Sequence, residues 1–301
     1  MRISDSMIAS SLIAQLGKAS TRLFQLQEQV ASGLAFRTLS QNPAGSVRAA
    51  SLRSSIAELS RYRTNTDDAR ERLSLTEVSL ASIIESLRDA RLAALSLSHT
   101  GGGNDALADT VHQISQQVVR GINFASQGRY LFGGYKSLTP PVVENVAGVP
   151  PYLYQGDRGD VSFQLSRGVS IIASLDAAEV LNLDGAADPA LDDTLETLRQ
   201  VEVAIRAGDR DAVEAGLVVL EKHFDRVVSL RGAIGARVQH VELAATRLEG
   251  VVLTLQALLS ETQDVDITQA ITELRGQEIT YQAAAAAASA LHRASLLDYF
   301  I

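Results

Sequence analysis

Apolar side chains recur at alternating steps of three and four along most of this chain, the spacing that lines one face of an α-helix. The first run is Leu12, Leu16, Ala19, Leu23, Leu26 and Val30, a heptad seam for one partner helix. Ser32-Gly33 closes it, because glycine is favoured just past a helix end. After a loop, Asn42-Pro43 supplies a capping side chain and then proline at the first helical position. The second run extends from Pro43 to about Ser98 through Leu52, Ile56, Leu59, Tyr62, Thr66, Ala69, Leu73, Thr76, Leu80, Ile83, Leu87, Ala90, Ala94 and Leu97. Two successive steps of three at Ile56, Leu59 and Tyr62 mark a local overwinding. Such a helix would be about 80 Å long, more than a compact globule needs. Gly101-Gly102-Gly103 breaks it, and Asn104 or Asp105 caps a third helix carrying Leu107, Val111, Ile114, Val118, Gly121 and Ala125.

The period then changes. From Gly128 to about Leu183, prolines and glycines cluster and short alternating runs appear. Val161, Phe163 and Leu165, a turn at Arg167-Gly168, then Val169 and Ile171 predict a small antiparallel β module. Helices resume at Asp188-Pro189, with Leu191, Leu195, Leu198, Val201 and Ile205 on one face, up to a turn at Gly208. The cleanest seam follows: Val213, Leu217, Leu220, Phe224, Val227, Arg231, Ile234, Val238, Val241, Ala245, Leu248, Val252, Leu255 and Leu259. Asp266 to Gln269 has the form of a capping box and opens a last helix to about Asp298.

This order predicts a mainly α protein with a small β insert, an elongated rod of long antiparallel helices. Residues 1–42 with 262–301 would pair as a terminal coiled coil, 43–128 with 184–261 as a helical bundle, and 129–183 as a β module at the far end. Composition agrees: Trp is absent and prolines number only 6, so close-packed helices rather than a thick aromatic core are expected. Residues 1–37 carry four basic and two acidic side chains, residues 258–301 two and six, so opposite signs favour the terminal pairing.

A net charge of −8 argues against nucleic acid as a partner, since phosphate binding needs a basic face. No uninterrupted apolar run approaches the length of a membrane span, and the start lacks the n-region and h-region of a secretory signal. The absence of cysteine excludes disulfides and thiolate metal sites. The five histidines (His99, His112, His223, His240 and His292) form no ligand spacing. His112 and His223 could meet inside the bundle, although a surface or seam-edge place is the weightier reading. The glycine runs at 101–103 and 133–134 lack the spacing of a phosphate loop, and no serine sits in a nucleophile elbow. No enzymatic activity, cofactor or metal is expected. Arg231 interrupts the long seam: either it faces solvent or snorkels, the weightier reading, or it pairs with an acidic residue of the second helix such as Glu77 or Glu85.

Gln29-Val30-Ala31-Ser32-Gly33, then Ser40-Gln41-Asn42-Pro43-Ala44-Gly45, and Ser295-Leu296-Leu297-Asp298-Tyr299 at the other end resemble the terminal signatures of the flagellin superfamily. Within it, Arg129-Tyr130-Leu131-Phe132-Gly133-Gly134 and Tyr154-Gln155-Gly156-Asp157 are similar to the hook–filament junction family, hook-associated protein 3. Gln41-Asn42 departs from the acidic pair that the family commonly carries before the proline, although asparagine still caps a helix.

The resemblance implies a structural flagellar component outside the cell, joining hook to filament. A short flagellin forming the filament itself, or an unrelated helical scaffold, is the alternative. The implied partners are other copies in a ring, a hook-side junction protein, flagellin, and a cytoplasmic export chaperone at the C-terminal helix. Export would run through the flagellar type III apparatus without a cleaved signal. The implied assembly residues are Leu12, Leu16, Leu23, Leu26 and Val30 on the first helix. Ile267, Ile271, Leu274, Tyr281, Ala285, Ala288, Leu296, Leu297 and Phe300 are their counterparts on the last. Ser32, Gly33, Asn42 and Pro43 form the loop signature, and Tyr130, Phe132, Gly133 and Gly134 open the insert. Ile279, Leu291 and Leu296 fall off the Tyr281/Ala285/Ala288 line, so this apolar surface is expected to be buried between neighbouring subunits and the ends to be mobile before assembly.

Overall fold

The computed structural model describes residues 5–96, 104–145 and 151–299. Leu97, Ser98 and the triglycine turn lie outside the described residues. Seven α-helices and three short β ladders are present among those described: α1 (Asp5–Ser32), α2 (Pro43–Ser96), α3 (Asn104–Ile122), α4 (Ala177–Leu181), α5 (Thr194–Ala207), α6 (Arg210–Gln263) and α7 (Ile267–Tyr299). The chain is mainly α with a small β insert, and folds as two compact units, residues 1–58 with 251–301 and residues 59–250.

In the larger unit, the predicted seams are the buried faces. Ala69, Leu73, Leu80, Ile83, Leu87 and Ala90 of α2 pack in one core with Val111, Ile114 and Val118 of α3. Leu195, Leu198, Val201 and Ile205 of α5, and Val213, Leu220, Val227, Ile234 and Val241 of α6, complete it. Small residues let helices close in: a Cβ at Gly216 would come within 2.5 Å of Val201, and one at Gly121 within 3.0 Å of Ile83. Thr66 and Thr76 sit in the dry α2 seam because their hydroxyls donate to the Tyr62 and Arg72 carbonyls one turn back. Arg231 takes the paired reading: its guanidinium donates to Glu77 Oε1 at 2.9 and 2.7 Å while staying partly exposed.

The insert is three separate antiparallel pairs rather than one sheet. β1 (Ala125–Ser126) and β2 (Arg129–Tyr130) flank Gln127-Gly128, both at positive φ, which matches the twist of a two-residue hairpin. β3 (Val142–Glu144) pairs with β4 (Tyr152–Tyr154), and β5 (Ser162–Ser166) with β6 (Val169–Ile172). Ala125, expected on α3, belongs to β1, because the helix stops at Ile122. Phe132 is fully buried, and the next two residues turn sharply. Gly134 has φ +64°, and a Cβ there would strike Asp157 Oδ1. That oxygen accepts the Tyr135 and Gly159 N–H groups at 2.6 and 3.1 Å, so the two signatures of the insert, at 130–134 and 154–157, fold onto each other. Arg72 of α2 donates to the Leu131 and Ala173 carbonyls (2.8 and 2.9 Å), and burial lowers its pKa.

The helix expected at Asp188-Pro189 begins instead at Thr194. The Asp188 carboxylate caps a turn, accepting from Ala190 N–H at 2.9 Å. α4 is an element the periodicity does not predict. It is only 5 residues long and is set by the Asp176 cap (2.6 Å to Glu179 N–H) and a buried Asn182 at φ 55°. Asn182 bonds to Asp188, Leu191, Ala187 and Arg226, which compensates its backbone strain.

In the smaller unit, α1 and α7 run antiparallel. Arg22 meets Glu273 at 3.4 Å, and Gln277 reaches the Ala19 carbonyl at 3.5 Å. On this register Leu26 lies level with Ala270; at 2% and 3% exposure both are fully packed. Asp266 caps α7 by accepting from Thr268 and Gln269 N–H, but the Gln269 side chain turns to Glu273, so the capping box is open.

Two outcomes follow from this packing. Leu26→Ala should cost about 2–5 kcal/mol in the smaller unit, accelerating amide exchange in α1 at least roughly thirtyfold and leaving α3 unchanged. His223, fully buried on α6, is bonded to Thr194 and Thr197 and stays apart from His112, which meets Glu202. Burial first, and then Arg226, pushes the His223 imidazole down to about 4. The unfolded chain titrates near 6.5, so the stability His223 carries is present above that pH and is lost as pH falls toward 4. The loss amounts to about 3 kcal/mol. Urea midpoints of the larger unit at pH 7 and 4.5 should therefore differ more in the native chain than in His223→Gln.

Candidate assembly surface of the terminal helices

All five seam residues assigned to α1 turn toward the interior of the smaller unit: Leu26 is buried, and Leu12, Leu16, Leu23 and Val30 are half-buried. On α7 the inward face runs through Ala270, Leu274, Gln277, Tyr281, Ala284 and Ala288. Of the α7 residues implied in assembly, Leu274, Tyr281 and Ala288 lie on this inward face, Ile267 and Ile271 face solvent, and on the Tyr281/Ala285/Ala288 line Ala284 is half-buried while Ala285 is exposed. A run of alanines has no phase of its own, so the phase is imposed upstream, where bulky Leu26 needs a residue as small as Ala270 beside it. Leu296 and Leu297 belong to the last turn of α7, and Phe300 lies outside the described residues.

The outward faces carry large apolar side chains among their polar ones. Ile13 and Phe24 on α1 are 69% and 68% exposed, and their eleven-residue spacing stacks them on one side of the helix. Ile279 on α7 is equally open, beside the exposed Ile267 and Ile271. Gly17 of α1 and Gly276 of α7 have empty space where a Cβ would stand. Each weakens its helix by about 1 kcal/mol relative to alanine with no intrachain contact in return. Among the described residues, α6 has an 18-residue stretch apolar enough by composition to cross a bilayer, of which 6% is buried. Its exposed Leu253 and Val251 lie in the smaller unit. A helix that is apolar all round is normally covered by other protein or by lipid.

The loop signature closes the other end of the unit. Asn42 Oδ1 accepts from Gly45 N–H at 2.9 Å, capping α2 as aspartate would. Ser32 Oγ returns to the Glu28 carbonyl, and Gly33 adopts φ +72° to end α1. At the start of the insert, Tyr130 pairs in the first hairpin and Phe132, Gly133 and Gly134 form the buried turn described above.

Comparison with known proteins fits this arrangement. The bacterial flagellin N-terminal helical region matches residues 3–137, and the bacterial flagellin C-terminal helical region matches residues 217–300. Flagellar hook-associated protein 3 of Escherichia coli is 23% identical over 300 residues, 94% of each chain. The solved structure of Bacillus cereus FlgL shares the fold with a TM-score of 0.59 and 24% identity, over 70% of this chain and 99% of that one. The flagellar junction protein FlgL of Legionella pneumophila gives 0.58 and 14%, over 72% and 99%. Both flagellin terminal regions are present, in order and on either side of a β insert, and together they take in most of the sequence: the chain belongs to the flagellin superfamily.

Proposed function

We propose that this chain is a structural subunit of the bacterial flagellum at the junction between hook and filament. One observation carries the reading: both flagellin terminal regions flank a small β insert, and the similarity to hook-associated protein 3 runs end to end, over 94% of both chains. Copies of the chain form a ring, with a hook-side junction protein on one side and flagellin on the other.

The physical support is the set of large apolar side chains that α1 and α7 leave exposed. One face is used within the chain. Ile13, Phe24 and Ile279 on the other would be covered by neighbouring copies, which would complete helices that are marginal as an isolated pair. A cytoplasmic chaperone holds the C-terminal helix until export through the flagellar type III apparatus.

A short flagellin, carrying the same terminal regions, is the second reading. Deleting the gene separates the two. A junction subunit leaves cells that export flagellin into the medium but carry no filaments; normal filaments in that strain would sink the assignment. Phe24→Glu combined with Ile279→Glu should leave monomer stability within about 1 kcal/mol and abolish motility, because a charge replaces an apolar contact between copies. Wild-type swimming by that variant would refute burial of this face.

A further inference from the structure

The seam between α1 and α7 specifies its own register poorly. Six consecutive alanines, 283–288, present a uniform surface, so after a slip of one heptad Leu16 and Ala19 would face alanines, and the main apolar match lost is Leu26 on Ala270, with Gln277 in its place. Such a slip would shift one helix along the other by about 10 Å. Arg22 and Glu273 favour the observed register, but theirs is an exposed contact at 3.4 Å, and such pairs contribute little.

The two chain connectors supply what the seam lacks. The residues leaving α1 and those entering α7 pass each other antiparallel, bridged at Leu34 and Asp264. Ala35 N–H donates to the Gln263 carbonyl at 2.7 Å, and Val265 N–H to the Gly33 carbonyl at 2.9 Å. Side chains brace both strands. Gln29 of α1 donates to the Ala35 carbonyl at 2.6 Å, and Arg53 of α2 to Oε1 of the buried Gln263 at 2.5 Å. Phe36 is buried against the first turn of α2, where a Cβ on Gly45 would come within 2.7 Å of its ring. The positive φ of Gly33 ends α1 and aims its carbonyl across the gap.

We propose that these paired connectors are a register lock, selecting the one alignment of α1 and α7 that the alanine-rich seam would leave open. A heptad slip would pull Ala35 and Val265 away from their acceptors and strand four backbone groups beside the buried Gln263, whereas the native register satisfies all of them. Ala35, Val265, Gln263, Gln29 and Arg53 are positioning residues: they decide which apolar side chains line up on the outward face. The inference rests on contacts within one chain and does not depend on the flagellar reading.

The chain has no cysteine, so engineered pairs report register without background. Arg22→Cys with Glu273→Cys reports the native register and also removes the competing ion pair. Arg22→Cys with Thr280→Cys reports a one-heptad slip. Each pair is placed in the full-length native chain and in Ala35→Pro and Val265→Pro, which each delete one bridging N–H. Oxidative cross-linking is followed in dilute monomer, and the near-UV melt of the larger unit confirms folding. The lock predicts that the native pair closes rapidly in the native chain. In both proline variants it should close at least roughly tenfold more slowly, while the slipped pair, silent in the native chain, begins to close. Undiminished native-pair closure in the proline variants overturns the proposal. Loss of both pairs together also overturns it, because the connectors would then hold the helices together without choosing their alignment.

Discussion

Two helices can hide only one stripe of each other, and the rest of this molecule answers to that limit. In the larger unit four helices share the burden, and a continuous core results. In the smaller unit α1 and α7 have one principal partner each. Full burial among their described residues is confined to Leu26 and Ala270, with Phe36, Ala49 and Gln263 nearby. The large apolar residues left over are therefore a necessity of the geometry as much as a surface with a purpose.

The seams were legible because heptad spacing is a property of the sequence that survives any tertiary context. The α6 face through Val213, Leu220, Val227, Ile234 and Val241 is buried as its periodicity requires. What was not legible is what depends on a single long-range bond. α4 is too short to show a period and exists because Asn182 accepts and donates at once. His223 reads as an ordinary seam neighbour until Thr194 and Thr197 are seen to enclose it. On α7, Ile267 and Ile271 attract attention by their size, yet Ala270 is buried, because the partner there is already large. The loop signature was visible as residues, but the bridge between residues 34 and 264 leaves no local trace.

Polar groups inside the larger unit explain why α2 looks less amphipathic than it is. Thr66, Thr76 and Ser86 donate within α2, and Ser79 donates to Gly121 of α3 at 2.7 Å. Among the described residues, every buried side-chain nitrogen and oxygen has a partner. A hydroxyl satisfied by its own helix leaves no donor unpaired, so serine and threonine stand in for small apolar residues along a seam. Arg231 is tolerated for a different reason: it keeps contact with water while bonding Glu77.

The three ladders of the insert share no strand, and each is fastened separately to the helices beneath. Asn123 grips Val142 through both its donor and its acceptor, and Asn65 reaches the Gln164 carbonyl in the last hairpin. Among the described residues no ladder bond is shared between hairpins, and the tie between the first two runs outside the ladders, from Tyr135 and Gly133 to Asp157. Lengthening or reshaping a single loop therefore leaves the remaining two ladders with all their bonds. A surface built this way can diverge piecemeal, one hairpin at a time, while the helical frame that carries it stays the same.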